Sequence, residues 1–511
     1  MDITTEILIK GGLTVLALVA VAWRHLRPGT LPPERAGRLL TLVAVAAVLA
    51  WTNFGSFHGR SGIHHWEQFH YFLGSKYFPE LRYDGLYVAT LAAEREIGLG
   101  HQVQPYVRDL RTNEVVPTRG LDDHAREVQG RFEPQRWHAF VEDVRYFLGK
   151  NSYDYIEKIR KDHGYNPTPT WTFTARLFSR FPAAGDDSLA ALAWIDPLLL
   201  AAMFWMVFRT YGSRIGCLAL IVFGVGYPWR FDWVGGAFLR QDWLAAVGIG
   251  VCLIRRERFA MAGGLFAYAA MVRVFPAGFL FGPAVVALRE LVARRPVGWM
   301  WKLLGGFALG VALCLVAGGL VGSGPQAWPQ FLHNLEKHHG TWLTNNVGLT
   351  NVLLYDGATM RRDDVRWNLP EPWLVWQGKM NRLQEERRPM LLIATGFMLI
   401  VTAAAAWRWP RDAAAVLGAV VAFAALLLTC YYWVMLLLLP IGRGRWLPTA
   451  GWLGINLGLW GLHLATPAFE MIYGLMSWAL LAFFLAWLGP DAVRTMWGFA
   501  RPGSLKHREQ V

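Results

Sequence analysis

The chain has 511 residues, of which 54% are hydrophobic and only 17% charged, against about 25% charged in an average soluble domain. The net charge of +13 has no basic soluble domain to carry it, which excludes a nucleic-acid binder and leaves membrane topology and anionic lipid headgroups as its reading. The four cysteines, Cys217, Cys252, Cys314 and Cys430, lie in or beside apolar stretches without metal-ligand spacing, which excludes a disulfide framework and a zinc site.

The apolar residues come in blocks, at 7–23, 39–54, 189–208, 215–228, 243–254, 259–272, 276–288, 303–321, 390–407, 413–428, 431–440, 451–464 and 471–488. They predict an all-α polytopic membrane protein with about 11–13 transmembrane helices, the shorter blocks being broken or re-entrant. The first block reads as a retained span, because no clear basic segment precedes it and no small-residue cleavage site follows Trp23. The expected divisions are two N-terminal spans (1–54), a first long outside loop (55–187), central spans (188–321), a second outside loop (322–388), C-terminal spans (389–488) and a basic tail (489–511). Basic residues mark the other side: Arg35 and Arg38, Arg209 and Arg214, Arg255, Arg256 and Arg258, Arg289, Arg294 and Arg295, Arg408 and Arg411, Arg443 and Arg445, and then the tail. By the positive-inside rule that side is cytoplasmic and both long loops lie outside.

In the first loop, 135–149 reads as a helix with Trp137, Phe140, Val141, Val144, Phe147 and Leu148 on one face, suited to the membrane surface or the spans. The charge-rich stretch 106–133 reads as loop. The loop opens on its densest cluster of reactive side chains, His64, His65, Glu67, His70, Tyr71, Ser75 and Lys76. Glu67, Tyr71 and Ser75 are four apart, so a helix aligns them in one stripe. A carboxylate there suits proton abstraction from a hydroxyl while a nearby cation holds a phosphate; the same residues also suit a solvated juxtamembrane turn. A metal site of His64, His65 and His70 is disfavoured, because adjacent helix positions diverge by about 100°.

Charges at membrane depth are the second signal, since each costs roughly 2.5–3.5 kcal/mol at a helix centre and so tends to face a cavity. Arg230, Asp232, Arg240 and Asp242 stand at the outer side, and Arg273 stands three residues before the helix-breaking Pro276. One reading pairs Arg230 with Asp232 and Arg240 with Asp242; the other points Arg240 and Arg273 into one cavity as a phosphate clamp. In the second loop, Asn345 and Asn346 suit carbohydrate hydroxyls and Trp342 offers a face for sugar stacking, although a turn-rich loop uses the same residues. Tyr431 and Tyr432 read as an aromatic belt.

Taken in order, these features resemble the GT-C glycosyltransferases, and within them the bacterial polyprenol-phosphate-mannose-dependent branch. The resemblance runs over about 51–440 and implies a GT-C-like helical bundle in the bacterial inner membrane, with large periplasmic loops and a cytoplasmic C-terminus. It implies Glu67 as the catalytic base and Arg240-Gln241-Asp242 as the polar opening of a mid-chain span. Arg273 matches the basic position before a proline, Asn345-Asn346 the loop motif, and Tyr431-Tyr432 the late aromatic segment. The implied reaction is an inverting displacement on a polyprenyl-phosphate-linked sugar, with Arg240, Arg273 and Lys76 on the donor phosphate. His65, His70, Tyr71, Gln241, Asp242, Trp342, Asn345 and Asn346 are then expected around the substrates. Members of the fold do not all need a divalent metal, and none is assigned. The expected partners are membrane lipids, the lipid-linked sugar and a glycan, lipid or protein acceptor. The competing readings are a non-catalytic membrane subunit that docks a partner through its outside loops, and a transporter.

Overall fold

The structure is a computed structural model of the chain, and it describes residues 2–26, 32–55, 61–99, 104–338, 340–355, 357, 364–444 and 446–500. The chain is predominantly helical, with two short antiparallel ladders. Six helical segments are long and apolar enough to cross a membrane: Ile3–Trp23, Asp186–Val225, Phe275–Val292, Gly298–Gly318, Arg388–Ala406 and Phe469–Gly498. Phe259–Val272 and Cys430–Ile441 are apolar but shorter.

Asp186–Val225 accounts for two of the expected blocks. At 40 residues it would run about 60 Å if straight, twice the thickness of a hydrocarbon core. It breaks at Gly212, whose φ of 82° is open to glycine and strained for other residues. Beyond the break the chain doubles back, so that the Phe208 ring lies against Gly216, eight residues on.

Two N-terminal helices, α1 (Ile3–Leu26) and α2 (Pro33–Trp51), pack into this bundle, α1 against Trp446–Ala465 and α2 along Ile195–Val225. α1 turns a polar line inward: Lys10 pairs with Glu6 at 2.6 Å, and Thr14 accepts from Asn456 Nδ2 at 3.2 Å. Elsewhere glycines let helices touch. A side chain at Gly263 would collide with the Leu303 carbonyl, and one at Gly306 with that of Ala260, so Phe259–Val272 and Gly298–Gly318 cross backbone to backbone.

The basic connections meet at one end of the bundle. Arg256 Nη2 donates to the Arg209 carbonyl at 2.8 Å, the Tyr211 hydroxyl to Asp412 at 3.0 Å, and Arg289 Nη1 to the Trp407 carbonyl at 2.9 Å. Arg411 pairs with Glu290 at 3.0 Å, and Arg443 Nη1 donates to the Arg408 carbonyl at 3.2 Å. The gathering of these loops agrees with the alternation of spans inferred from charge.

The two long connections fold together at the other end. In the first, α3 (His65–Lys76) packs on Pro169–Ser179 and Pro134–Lys150. Thr168 caps Pro169–Ser179 by accepting the Trp171 N–H, with Pro169 in the first turn, where its missing N–H costs nothing. Two expectations change here. The stretch 106–133 is not plain loop: β1 (Tyr106–Asp109) pairs with β2 (Glu114–Pro117), followed by a helix at Asp122–Gln129. Pro134–Lys150 does bury Trp137, Phe140, Val141, Val144 and Phe147, but against α3 and Leu86–Glu96, so its apolar stripe is part of the loop's own core. The second connection docks on the first through an Arg108–Glu371 ion pair at 2.9 Å. Asn334 and His338 both donate to Asn166 Oδ1, at 2.9 and 2.8 Å.

Candidate functional site

Two short helices carry the charged residues. Asp242–Arg255 runs from the loop end to the basic end, and Phe259–Val272 returns, ending at Arg273. Each has 14 residues and so rises about 21 Å, less than the roughly 30 Å of a hydrocarbon core. Arg240 and Arg273 are therefore recessed at membrane depth, with α3 beside them.

α3 begins at a His64 cap that accepts from the Glu67 N–H at 3.4 Å, and its Glu67–Tyr71 face turns toward these arginines. Glu67 Oε2 lies 3.0 Å from Arg240 Nε, with the Glu67 side chain only 14% exposed. The Arg240 guanidinium also stands over two aromatic rings, 4.6 Å from Tyr71 and 5.5 Å from Tyr431. Arg273 acts electrostatically on Glu67, Tyr71 and Asp242, so both cations share one neighbourhood. Burial pushes the Glu67 carboxyl above the usual glutamate range, more than Arg240 and Arg273 pull it down. Burial also raises the Tyr71 hydroxyl to about 12, which keeps it protonated as a donor.

Four side-chain atoms in this neighbourhood are buried without a hydrogen-bond partner among the described residues: Glu67 Oε2, Arg240 Nε, Arg273 Nε and Gln241 Oε1. Glu67 and Arg240 attract as charges, but their contact lacks the alignment of a hydrogen bond. Buried polar atoms are normally paired, so four unpaired ones in one place ask for an explanation. The backbone beside them is strained as well. Leu239, immediately before Arg240, has a φ of 53°, a left-handed conformation that costs about 1–3 kcal/mol in a non-glycine residue. Trp171 Nε1 donates to the Leu239 carbonyl at 2.8 Å. Asp196 accepts the backbone N–H groups of Arg240 and Gln241 at 2.9 and 3.0 Å.

Asp242, at the head of its helix, accepts the Tyr268 hydroxyl at 2.9 Å. Among the described residues neither Arg230–Asp232 nor Arg240–Asp242 forms an ion pair, so the self-neutralising reading of these charges does not hold. Asn345 and Asn346 reach the site indirectly. The Asn345 carbonyl accepts the Cys430 N–H at 2.8 Å, and β3 (Asn346–Val347) pairs with β4 (Leu428–Thr429). This clasp sets Tyr431 and Tyr432 facing inward. Tyr432 packs 5.1 Å from Phe275 and 6.0 Å from Trp243, and Val434–Leu439 behind it is buried. The two tyrosines are therefore part of the interior wall and not an aromatic belt.

Three expected residues lie elsewhere. Lys76, at the far end of α3, is buried in an ion pair with Asp143 at 2.6 Å and donates to the Pro182 carbonyl at 2.7 Å, so it does not join Arg240 and Arg273. His70 is held between the Trp66 carbonyl at 2.9 Å and the Tyr87 hydroxyl at 2.7 Å, inside the loop core. Trp342 is 4% exposed, donates to Asn381 at 2.7 Å and packs with Leu354, Trp376 and Met380, so its faces are covered. His65 donates to Asn151 Oδ1 at 3.1 Å and lines a polar cavity beside the start of α3. No group of three or more metal-type ligands converges among the described residues.

Sequence reasoning missed Asp196, Tyr268 and Asp162. Asp162 accepts from Trp66 Nε1 at 2.8 Å, and its charge reaches Glu67. Asp196 had a signal, as an acid inside the apolar block 189–208. Tyr268 and Asp162 had none.

The chain matches no protein-family model, no curated protein and no solved structure. The site's meaning therefore rests on its own geometry, within a helical chain able to cross a membrane several times.

Proposed function

We propose that the protein is a membrane glycosyltransferase of the GT-C type, moving a sugar from a polyprenyl phosphate to an acceptor hydroxyl at the outer face. The observation that carries this is the convergence of Glu67 Oε2 with Arg240 Nε, Arg273 Nε and Gln241 Oε1, all buried and without hydrogen-bond partners among the described residues. One carboxylate between two guanidinium groups, recessed at membrane depth, matches what such a transfer needs. The acceptor oxygen attacks the anomeric carbon, a new C–O bond forms, and the bond to the phosphate oxygen breaks with inversion. The acceptor's proton passes to Glu67, and the charge on the departing lipid phosphate is met by Arg240 and Arg273. A carboxyl raised by burial is a stronger base than a solvated one. Phosphate leaves as a stable anion, so no general acid is required.

The test is transfer of radiolabelled sugar in membranes carrying wild type or Glu67→Gln at equal expression. The substitution preserves shape, so the protein stays folded and binds its donor, while transfer falls by roughly 10²–10⁴-fold. Wild-type transfer by the variant rejects Glu67 as the base. No transfer by either protein, across lipid-linked donors, favours a non-catalytic membrane subunit.

A further inference from the structure

Two cavities meet beside the proposed site, and they differ in chemistry. The first, of about 680 Å³, lies between α2 and the helices around 190–204, walled by Val45, Leu49, Leu200, Phe204 and Phe223 and closed at one end by Gln241. Val45 and Leu49 are 52% and 50% exposed, so this groove opens sideways at membrane depth. The second, of about 520 Å³, lies on the loop side, lined by His65, Lys150, Asn151, Tyr155 and Asp186. Both are lined by Ser61, with Gly62 on the apolar side and Ile63 on the polar side. Each is within the range of about 300–1,000 Å³ usual for small-molecule sites.

Both cavities border the reacting groups. In the apolar groove, Gln241 is Arg240's neighbour, and the Asp196 carboxylate that lines it holds the Arg240 N–H. In the polar cavity, the Tyr155 hydroxyl accepts the Trp66 N–H at 3.1 Å, and the charge on Glu67 reaches that hydroxyl. The polar cavity does not suit an anion, because Lys150, its one cationic lysine, is paired with Asp186 at 2.6 Å. What remains is amide, hydroxyl and imidazole, the groups that read sugar or polyol hydroxyls.

We infer that the acceptor is itself a lipid with a neutral, hydroxylated headgroup, its chain in the groove at Leu200–Phe204 and its headgroup in the cavity at His65–Tyr155. The inference rests on the transfer proposed above and names the acceptor class. An amphiphile spanning the Ser61 junction puts its headgroup hydroxyls beside Glu67, with the donor phosphate on the Arg240–Arg273 side of that carboxylate. The hydroxyl proton goes to Glu67 and its oxygen to the anomeric carbon, so the lipid leaves extended by one sugar and the donor leaves as polyprenyl phosphate.

The test uses the full chain in phosphatidylcholine nanodiscs, photolabelled with dodecyl glucoside carrying a diazirine in its alkyl chain. The label is expected on the segments bearing Val45–Leu49 and Leu200–Phe204, competed by unmodified dodecyl glucoside and not by dodecyl phosphate. Ala201→Trp, which fills the groove from a half-open position, should abolish that labelling, and Val45→Trp on the opposite wall should do the same if Ala201→Trp does not fold. Glu67→Gln should label like wild type, which separates this site from the catalytic assignment read by sugar transfer. Labelling outside the groove, or unchanged in folded tryptophan variants, overturns the inference. So does competition by dodecyl phosphate that vanishes in Arg240→Gln, which makes the groove the donor's.

Discussion

The Asp196 carboxylate accepts the backbone N–H of Arg240 at 2.9 Å, which ties the start of a spanning helix to the turn that presents the arginine. The second oxygen takes the Gln241 N–H at 3.0 Å, so a strained turn gains two charge-assisted bonds. Asp196→Ala leaves two buried N–H groups without acceptors, at about 1–3 kcal/mol each. The expected result is a lower melting temperature in detergent together with loss of sugar transfer. Asp196→Asn, which keeps one acceptor, should fall between the two.

Arg240 sets the acid limb of the reaction. Glu67 works as a base only when deprotonated, so the rate falls as pH drops through its pKa, which burial places above the ordinary glutamate range. Arg240 pulls that pKa down. Arg240→Gln removes the pull and the Glu67 carboxyl rises further, so the acid limb moves to higher pH. The pH profile of kcat/KM for sugar transfer measures this, independently of any drop in its plateau. An unmoved limb would show that Glu67 does not titrate in catalysis.

Lys76 should behave as a structural residue. Its ammonium is paired with Asp143, which also accepts the Tyr77 hydroxyl at 2.8 Å and the Ala184 N–H at 2.7 Å. Lys76→Met strands a buried carboxylate, which typically costs 3–5 kcal/mol. Faster limited proteolysis of the first loop is expected, with the KM for the lipid donor unchanged in the folded fraction. A raised donor KM with normal protease resistance would return Lys76 to the phosphate site.

Topology is open to direct labelling. The two loops that share the Arg108–Glu371 pair must lie on one side. Asp123 is 93% exposed at its side chain and Trp367 is 76% exposed, one on each loop. A membrane-impermeant maleimide added outside intact cells should modify Asp123→Cys and Trp367→Cys and spare Arg258→Cys. Labelling of one loop without the other would break the alternation of spans.

Composition alone determined that this chain belongs in a membrane, because the apolar blocks are too many for a soluble core to bury. The four-residue spacing of Glu67, Tyr71 and Ser75 determined one helical stripe, since side-chain direction follows helix period. Arg240 and Arg273 were legible as cavity-facing because an isolated charge at membrane depth is costly. Local pattern could not say which partner each charge would find. Lys76 reads like Arg240 in a string of residues, yet its ammonium closes on Asp143, 67 positions along the chain, while Arg240 meets Glu67 from a separate helix. Nor could it foresee that Asn345 would hold Cys430 and turn Tyr431 inward, or that two cavities would join at Ser61. Spacing encodes which face a side chain takes on its own helix; only the packing of distant segments decides what that face meets.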